Sequence, residues 1–301
     1  MNLAGLSAVL NGNICSAPMT QIPVRQLSDS HQPPNSDGGF SIRAIDELLA
    51  GSSQAAGLHR HDFYSFLAVE RGSGDFQIDL DHYTIADHMV FAIRPGQVIK
   101  VSLGAETKGY MVHFNTDFVD PASAHILRRA CQQNVYRLDE DKCKQMAPHL
   151  RHIHQEYRTP QEGHISVMQA SLVIYLVGLI RLQTGHIKER NSTPYQQERL
   201  DALLDLLETQ VTSQKQVSEY AEALGLSTYQ LNAITKTLLG KTCSELITEH
   251  LILEAKRYLL STPNQVKEIA YKIGYEDVSY FIRFFKKHTG QSPEAFRQNF
   301  T

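Results

Sequence analysis

The last third of the chain repeats itself, and that repeat restricts the fold more than any other feature. Val217, Glu219, Ala221 and Gly225 recur 49 residues later as Val266, Glu268, Ala270 and Gly274; with one inserted residue, Lys236 and Gly240 recur as Lys286 and Gly290. Val217, Tyr220, Ala221 and Leu224 fall at i, i+3, i+4 and i+7, as do Val266, Ile269, Ala270 and Ile273. That spacing is one apolar helix face. Gly225 and Gly274 end these helices in a conformation that glycine adopts at little cost. A second helix starts at once, with Ser227 or Asp277 as its N-cap. Helix, tight glycine turn, helix is the helix-turn-helix unit. Two copies are too few for a solenoid.

The second helix of the later copy discriminates further. Phe281 and Phe285 mark its buried side, and a wheel at about 100° per residue turns Ser279, Arg283 and Lys286 outward with Lys287 close by. An apolar side opposed to cations and small hydrogen-bonding groups suits a helix that reads the major groove of DNA. The reading helices are expected near 227–239 and 277–288. The candidate contacts on them are Ser227, Tyr229, Gln230, Asn232 and Lys236, and Ser279, Tyr280, Arg283, Lys286 and Lys287.

Net charge alone, −3 from 29 Lys and Arg against 32 Asp and Glu, argues against a nucleic-acid partner. Resolved along the chain it does not. Residues 198–255 hold four Lys/Arg against nine Asp/Glu, and residues 256–301 hold eight against four. Because phosphate neutralisation supplies much of DNA affinity, the second unit is expected to anchor binding and the first to add less.

Upstream the texture differs. Residues 1–38 are rich in Ser, Asn, Gln and Pro without a sustained period and read as a mobile arm. From Phe40 to Phe118, short Val, Ile, Phe and Tyr runs are cut by turn signals such as Arg71-Gly-Ser-Gly74 and Arg94-Pro-Gly96, which suggests a barrel or sandwich at about 39–120. After Pro121 three helices are expected, 122–133, 142–157 and 165–184. The last carries Leu172, Tyr175, Leu176 and Leu179 on one apolar side. That side packs against the barrel, and on the sharper reading it also pairs with the same helix of a second subunit, making 121–185 a dimerisation segment. Residues 186–195 are polar, with Pro194 close to their end, and read as a linker to a helical domain over 196–301.

At this point the residues are recognisable. Ile269-Ala270, Ile273-Gly274-Tyr275, Asp277, Ser279-Tyr280-Phe281, Arg283, Phe285-Lys286-Lys287, Gly290, Pro293 and Phe296-Arg297 resemble the signature of the AraC/XylS transcription regulators in spacing and residue type over 214–299. The resemblance implies two helix-turn-helix units joined by a long helix, here 243–260, and control at a promoter through contact with RNA polymerase, usually as an activator. His59-Arg60-His61 and Arg94-Pro-Gly-Gln97 look more loosely like the cupin-like sensor barrel of many members, which holds a small effector while the helices after it dimerise. The fold class expected is therefore multidomain α+β: a cupin-like β-barrel with trailing helices, then an all-α domain with two helix-turn-helix motifs. Ala233, Thr235 and Leu251 depart from common family residues and weaken the first unit's expected grip on DNA.

His59 and His61 lie two apart, so a strand places both imidazoles on one face. In cupin enzymes such a pair joins a carboxylate and a third His, but here Ser65 and Phe66 occupy the first neighbourhood and Ile99 the second. Two neutral imidazoles make a poor metal site, and nothing in the spacing brings His113 to them. No metal or cofactor is expected. His59, His61, Tyr64 and Lys100 suit an anionic or hydroxylated effector, with Phe63, Phe66, Phe76 or Phe91 as aromatic walls. A metal-dependent cupin enzyme with a helical appendage, and a regulator without a small-molecule effector, are the competing readings; the leading one is not an enzyme. The longest apolar run, Leu172 to Ile180, is short of the roughly 18 residues of a membrane span, and no secretory signal is visible at the start. Cys15, Cys131, Cys143 and Cys243 form no framework, so reduced thiols in the cytoplasm are expected.

Overall fold

Alternation of side chains sorts the strand-rich half into two sheets. A computed structural model describes residues 22–25, 27, 39–50, 57–182 and 193–300. Its strands are β1 (Val24–Arg25), β2 (Phe40–Ala44), β3 (His59–His61), β4 (Tyr64–Arg71), β5 (Gly74–Ile78), β6 (Asp81–Ile85), β7 (Met89–Ile93), β8 (Val98–Leu103), β9 (Lys108–Phe114) and β10 (Val135–Arg137). One sheet runs β1-β3-β8-β5-β6 and the other β10-β7-β4-β9-β2. The expected barrel is thus not closed: consecutive β3 and β4 belong to different sheets, and among the described residues no ladder joins the two. Asp62 and Phe63 carry the chain across.

The central strand β4 explains the layering. Tyr64, Phe66 and Ala68 point to one side, into a core shared with helices. Leu67 and Val69 point to the other, into the space between the sheets with Phe76, Phe91, Ile93 and Ile99. A strand buried on both faces loses the apolar–polar alternation, which is why 63–69 reads as one apolar run.

The outer face of the second sheet is covered by α2 (Ala124–Ala130), α3 (Glu140–Arg158) and α4 (His164–Leu182); a short α1 (Ile45–Ala50) follows β2. Met146, Leu150 and Ile153 of α3 and Met168, Leu172, Tyr175, Leu176 and Leu179 of α4 pack on Phe66, Val112 and Phe114. This corrects the dimer expectation. Leu172, Tyr175, Leu176 and Leu179 are at most 2 % exposed within a single chain, so their face is spent on the sheet and cannot meet a second subunit. The apolar residues that α4 leaves outside are Ile165 and Ile174, 39 % and 54 % exposed. By length and composition α4 alone among the described helices could cross a membrane; its filled inner face explains its greasiness as core packing.

Part of the expected arm is ordered: Ile22 is buried, and Val24–Arg25 pair in parallel with β3. Most of the remaining arm, Cys15 included, and most of the linker (186–192) lie outside the described residues.

The last domain contains α5 (Pro194–Gln210), α6 (Val217–Ala223), α7 (Thr228–Leu239), α8 (Cys243–Ser261), α9 (Val266–Lys272), α10 (Val278–Thr289) and α11 (Pro293–Phe300). It has two small cores. The first gathers α5, α6, α7 and the start of α8, including Leu246 and Leu251; the second gathers Ile252, Ala255 and Leu259 of α8 with α9, α10 and α11. One helix, α8, therefore belongs to both.

Leu176→Ala removes a fully buried side chain and is expected to cost about 2–5 kcal/mol in urea denaturation of dilute protein. A residue that served only a subunit seam would leave the stability of dilute, monomeric chain unchanged.

Candidate functional site

The repeat survives down to individual hydrogen bonds. In the first unit Leu226 N–H donates to Ala221 O at 2.8 Å, and 49 residues on Tyr275 N–H donates to Ala270 O at 2.8 Å. The turn glycines sit at φ +64° (Gly225) and +76° (Gly274). The recurring glutamates explain themselves: Glu219 and Glu268 each accept from a backbone N–H three residues earlier, at Gln216 and Gln265, closing the helix start. Asp277 caps α10 through Ser279 N–H and Tyr280 N–H. Ser227 caps α7 by exchanging bonds with Gln230.

Of the ten candidate DNA contacts, nine are exposed: Ser227, Tyr229, Gln230, Lys236, Ser279, Tyr280, Arg283, Lys286 and Lys287. Tyr229 is the extreme, 83 % exposed at the start of α7. Asn232 is the exception and a correction. Its Nδ2 donates to Thr228 O, and its Oδ1 accepts from Cys243 N–H at the start of α8. One half of the amide is spent within α7 and the other joins α7 to α8. Thr235 and Leu251, unusual for the signature, are simply buried in the first core or beside it. The two units are tied together by Phe284, which touches both cores, and by Lys215, whose ammonium donates to Gly274 O at 2.8 Å.

The acidic excess of residues 198–255 has a different meaning from the one its sign suggests. Asp201 and Asp205 face Arg128, Glu208 faces Arg94, and Glu254 faces Arg60. All three arginines belong to the strand-rich half. At the centre Arg257 of α8, 4 % exposed, grips Asp79 of the β5–β6 turn with Nε to Oδ1 at 2.6 Å and Nη2 to Oδ2 at 3.0 Å. Glu208 and Glu254 complete its surroundings. Asp79 also accepts from Val98 N–H and Gln97 Nε2. Burial by itself would raise the Asp79 pKa; the guanidinium of Arg257 and these bonds outweigh it and hold the carboxyl below its usual range. Leu80, beside Asp79, packs on the second core. Four of the nine acids thus dock one domain on the other, which narrows the charge difference between the two reading units without removing it.

A histidine cluster occupies one end of the space between the sheets. His59 and His61 are buried, with Nε2 atoms 3.1 Å apart, and His59 Nδ1 bonds to Gly57 O. His113 of β9 joins them: its ring lies 5.6 Å from His61 and stacks on Phe63, which also stacks on His61. Sequence spacing could not reveal this, because β9 lies more than 50 residues away and only the crossing from sheet to sheet brings it close. Burial, then repulsion from His113, His59 and Arg25, takes the His61 pKa down to about 2; burial and Arg43 take His113 to about 3. Both imidazoles are neutral near pH 7. Tyr64 and Lys100 do not join the site. Tyr64 packs in the core under the helices, where burial raises its pKa, because it precedes Ser65 on the opposite face of β4. Lys100, one residue past the pairing partner of His59, points to solvent. Phe66 likewise faces the helices, whereas Phe63, Phe76 and Phe91 line the interior. Among the described residues no group of three or more His, Cys, Asp or Glu is arranged to hold a metal ion.

Comparison with known proteins matches the two halves separately. Residues 49–177 match the AraC-like ligand binding domain, and residues 220–299 match a helix-turn-helix domain. The chain belongs to the AraC family. It is a DNA-binding transcriptional regulator with a ligand-binding domain, from a family of regulators and not of enzymes. This AraC-family chain is 24 % identical over 249 residues to the HTH-type transcriptional activator RhaS of Yersinia pestis (strain Pestoides F), covering 79 % of this chain and 88 % of that protein. It is 25 % identical over 254 residues to RhaS of Yersinia pseudotuberculosis serotype I (strain IP32953), with the same shares covered. Among solved structures, ToxT from Vibrio cholerae aligns with 86 % of this chain and 98 % of its own at 14 % identity and a TM-score of 0.39. The C-terminal domain of the response regulator yesN from Fusobacterium nucleatum aligns with 33 % of this chain and 98 % of its own at 32 % identity and a TM-score of 0.32.

Asp79→Ala leaves Arg257 buried with only its weaker partners and is expected to cost about 3 kcal/mol in chemical denaturation. Asp79→Leu combined with Arg257→Met is expected to recover most of that loss, because neither variant side chain then buries a lone charge.

Proposed function

We propose that this AraC-family regulator is an effector-responsive activator that reads two successive major-groove segments, with α7 and α10 as reading helices about one helical turn, or ~34 Å, apart. The observation that carries this reading is the repeat itself. Two capped helices of equal length lie on one scaffold, α7 presenting hydroxyl, amide and cationic side chains and α10 hydroxyl and cationic ones on the face away from their cores. Ser227, Tyr229, Gln230 and Lys236 are the contacts of the first unit, and Ser279, Tyr280, Arg283, Lys286 and Lys287 those of the second. Activation is suggested by the RhaS transcriptional activators that the chain resembles, and contact with RNA polymerase and a cytoplasmic site of action follow from it. The strand-rich half with its trailing helices, residues 39–185, is the sensing and dimerising part; residues 196–301 are the reading part.

Coupling between them is supported by one strand. On β3, His59 and His61 face the interior while Arg60, between them, faces outward and holds Glu254 of α8 at 2.8 and 3.0 Å. A ligand that moves the two histidines moves the arginine that grips the helix common to both reading units. An effector shifts DNA affinity only by its differential affinity for the two arrangements; a coupling of about 1–3 kcal/mol changes promoter affinity roughly 5–150-fold. Dimerisation uses the outward face of α4, around Ile174.

Arg283→Ala is expected to weaken specific binding by about 1–3 kcal/mol in gel-shift titrations on the chain's own upstream DNA. Lys286→Ala should weaken binding to all sequences and flatten the salt slope by about one unit. Unchanged operator affinity in Arg283→Ala would remove α10 as the reader. Ile174→Lys is expected to give monomers in analytical ultracentrifugation with the fold intact by circular dichroism; a wild type that is monomeric at micromolar concentration would remove the dimer.

A further inference from the structure

The space between the two sheets is apolar along most of its length, where Ile85, Met89, Phe91, Leu67 and Ile93 fill it. Its histidine end is different. Ser41, His113 and Ser65 stand opposite one another on β2, β9 and β4, so they form one row on the inner face of the second sheet. His61 and His59 approach that row from the first sheet. Both serines are buried. Three ring nitrogens here, His61 Nδ1 and both of His113, are buried without a hydrogen-bond partner among the described residues. Folded chains pair nearly all their buried polar atoms, and three unpaired ones at one spot mark a place where a ligand completes the bonding.

The chemistry of the surroundings narrows that ligand. The charges that act on the three imidazoles are Arg25, one residue of β1 opposite His61, and Arg43, two residues beyond Ser41 on the same face of β2. No aspartate or glutamate is among them. A neutral sugar would find only His61 Nδ1, one His113 nitrogen and the serine oxygens as acceptors for its hydroxyl protons and would gain nothing from the two arginines. A phosphate dianion needs buried cations to offset its desolvation, whereas both arginines stand at the margin and the buried groups are neutral. His59 Nδ1–H donates to Gly57 O, so His59 Nε2 accepts from His61 Nε2–H and His61 Nδ1 is an acceptor. A monoanion accepts instead from the N–H of neutral His113 and from the serine O–H groups and gains from the positive potential. We infer that the histidine end of the sensor takes a small organic monocarboxylate, bound by His113, Ser41 and Ser65 beside the His59–His61 pair, with Phe63 as the apolar wall.

This inference rests on the effector-responsive reading above, and its test is made without DNA so that the two fail separately. Isotope-labelled full-length chain is titrated with acetate, 2-hydroxypropanoate and benzoate, each against its own amide, while the imidazole nitrogen signals and the thermal midpoint are followed. At least one acid is expected to shift the His61 and His113 signals and raise the midpoint, with no effect of its amide. His113→Phe, which keeps the ring stack, should weaken that acid about tenfold or more. The imidazole readout on the unaltered chain stands even if the variant folds poorly. Acids that act no differently from their amides, or a neutral monosaccharide shifting the same signals where no acid does, would overturn it. Failure of the chain to bind its own upstream DNA both with and without the acid would count against the DNA reading and leave this one standing.

Discussion

The buried pairing of Arg257 with Asp79 organises the molecule. A guanidinium taken out of water is costly unless its geometry and bonding are nearly complete, and Arg257 meets that demand only where Asp79, Glu208 and Glu254 converge. Asp79 in turn is held by Val98 N–H and Gln97, so the turn that presents it is rigid before the domains meet. Apolar contacts tolerate sliding; this one does not. It sets where α8 stands on the strand-rich half, and α8 lies in both small cores of the reading domain.

From that anchor the logic runs through period two. On β3 the inner residues face a possible ligand and the outer residue faces the reading domain, with no intervening layer. The β5–β6 turn offers a second route, because Asp79 and Leu80 touch α8 and the second core while Phe76 and Ile78 of the same hairpin line the interior. A sensor wired in this manner needs no large rearrangement. A shift at the inner face of either strand is felt by α8, since packed elements move as units.

The α4 helix shows how apolar pattern and partner come apart. Its periodic face is real, and it is buried; yet what it meets is the outer side of β4 and β9, whose Phe66, Val112 and Phe114 needed cover as much as α4 did. An amphipathic stripe specifies that something apolar must lie against it, and chain connectivity supplies the nearest answer.

The reading domain was legible in the sequence because its information is local. Glycine turns, capping residues and i, i+3, i+4, i+7 faces act within a few residues, and the repeat printed each twice; Phe281 and Phe285 therefore located the outward Arg283 and Lys286 without coordinates. Asn232 escaped that logic, since its partner Cys243 N–H lies beyond the end of its own helix. The sensor was legible only as texture. Which face Tyr64 or Lys100 would take depends on strand register and on which sheet a strand joins, both decided by pairing across long stretches of chain. The meeting of His113 with His59 and His61 belongs to that class, as does the use of the acids of α5 and α8. Their charge is written in the sequence. Only the tertiary structure decided that arginines from the other domain, and not solvent or DNA, would stand opposite them, because an ion pair between domains forms only after both have folded.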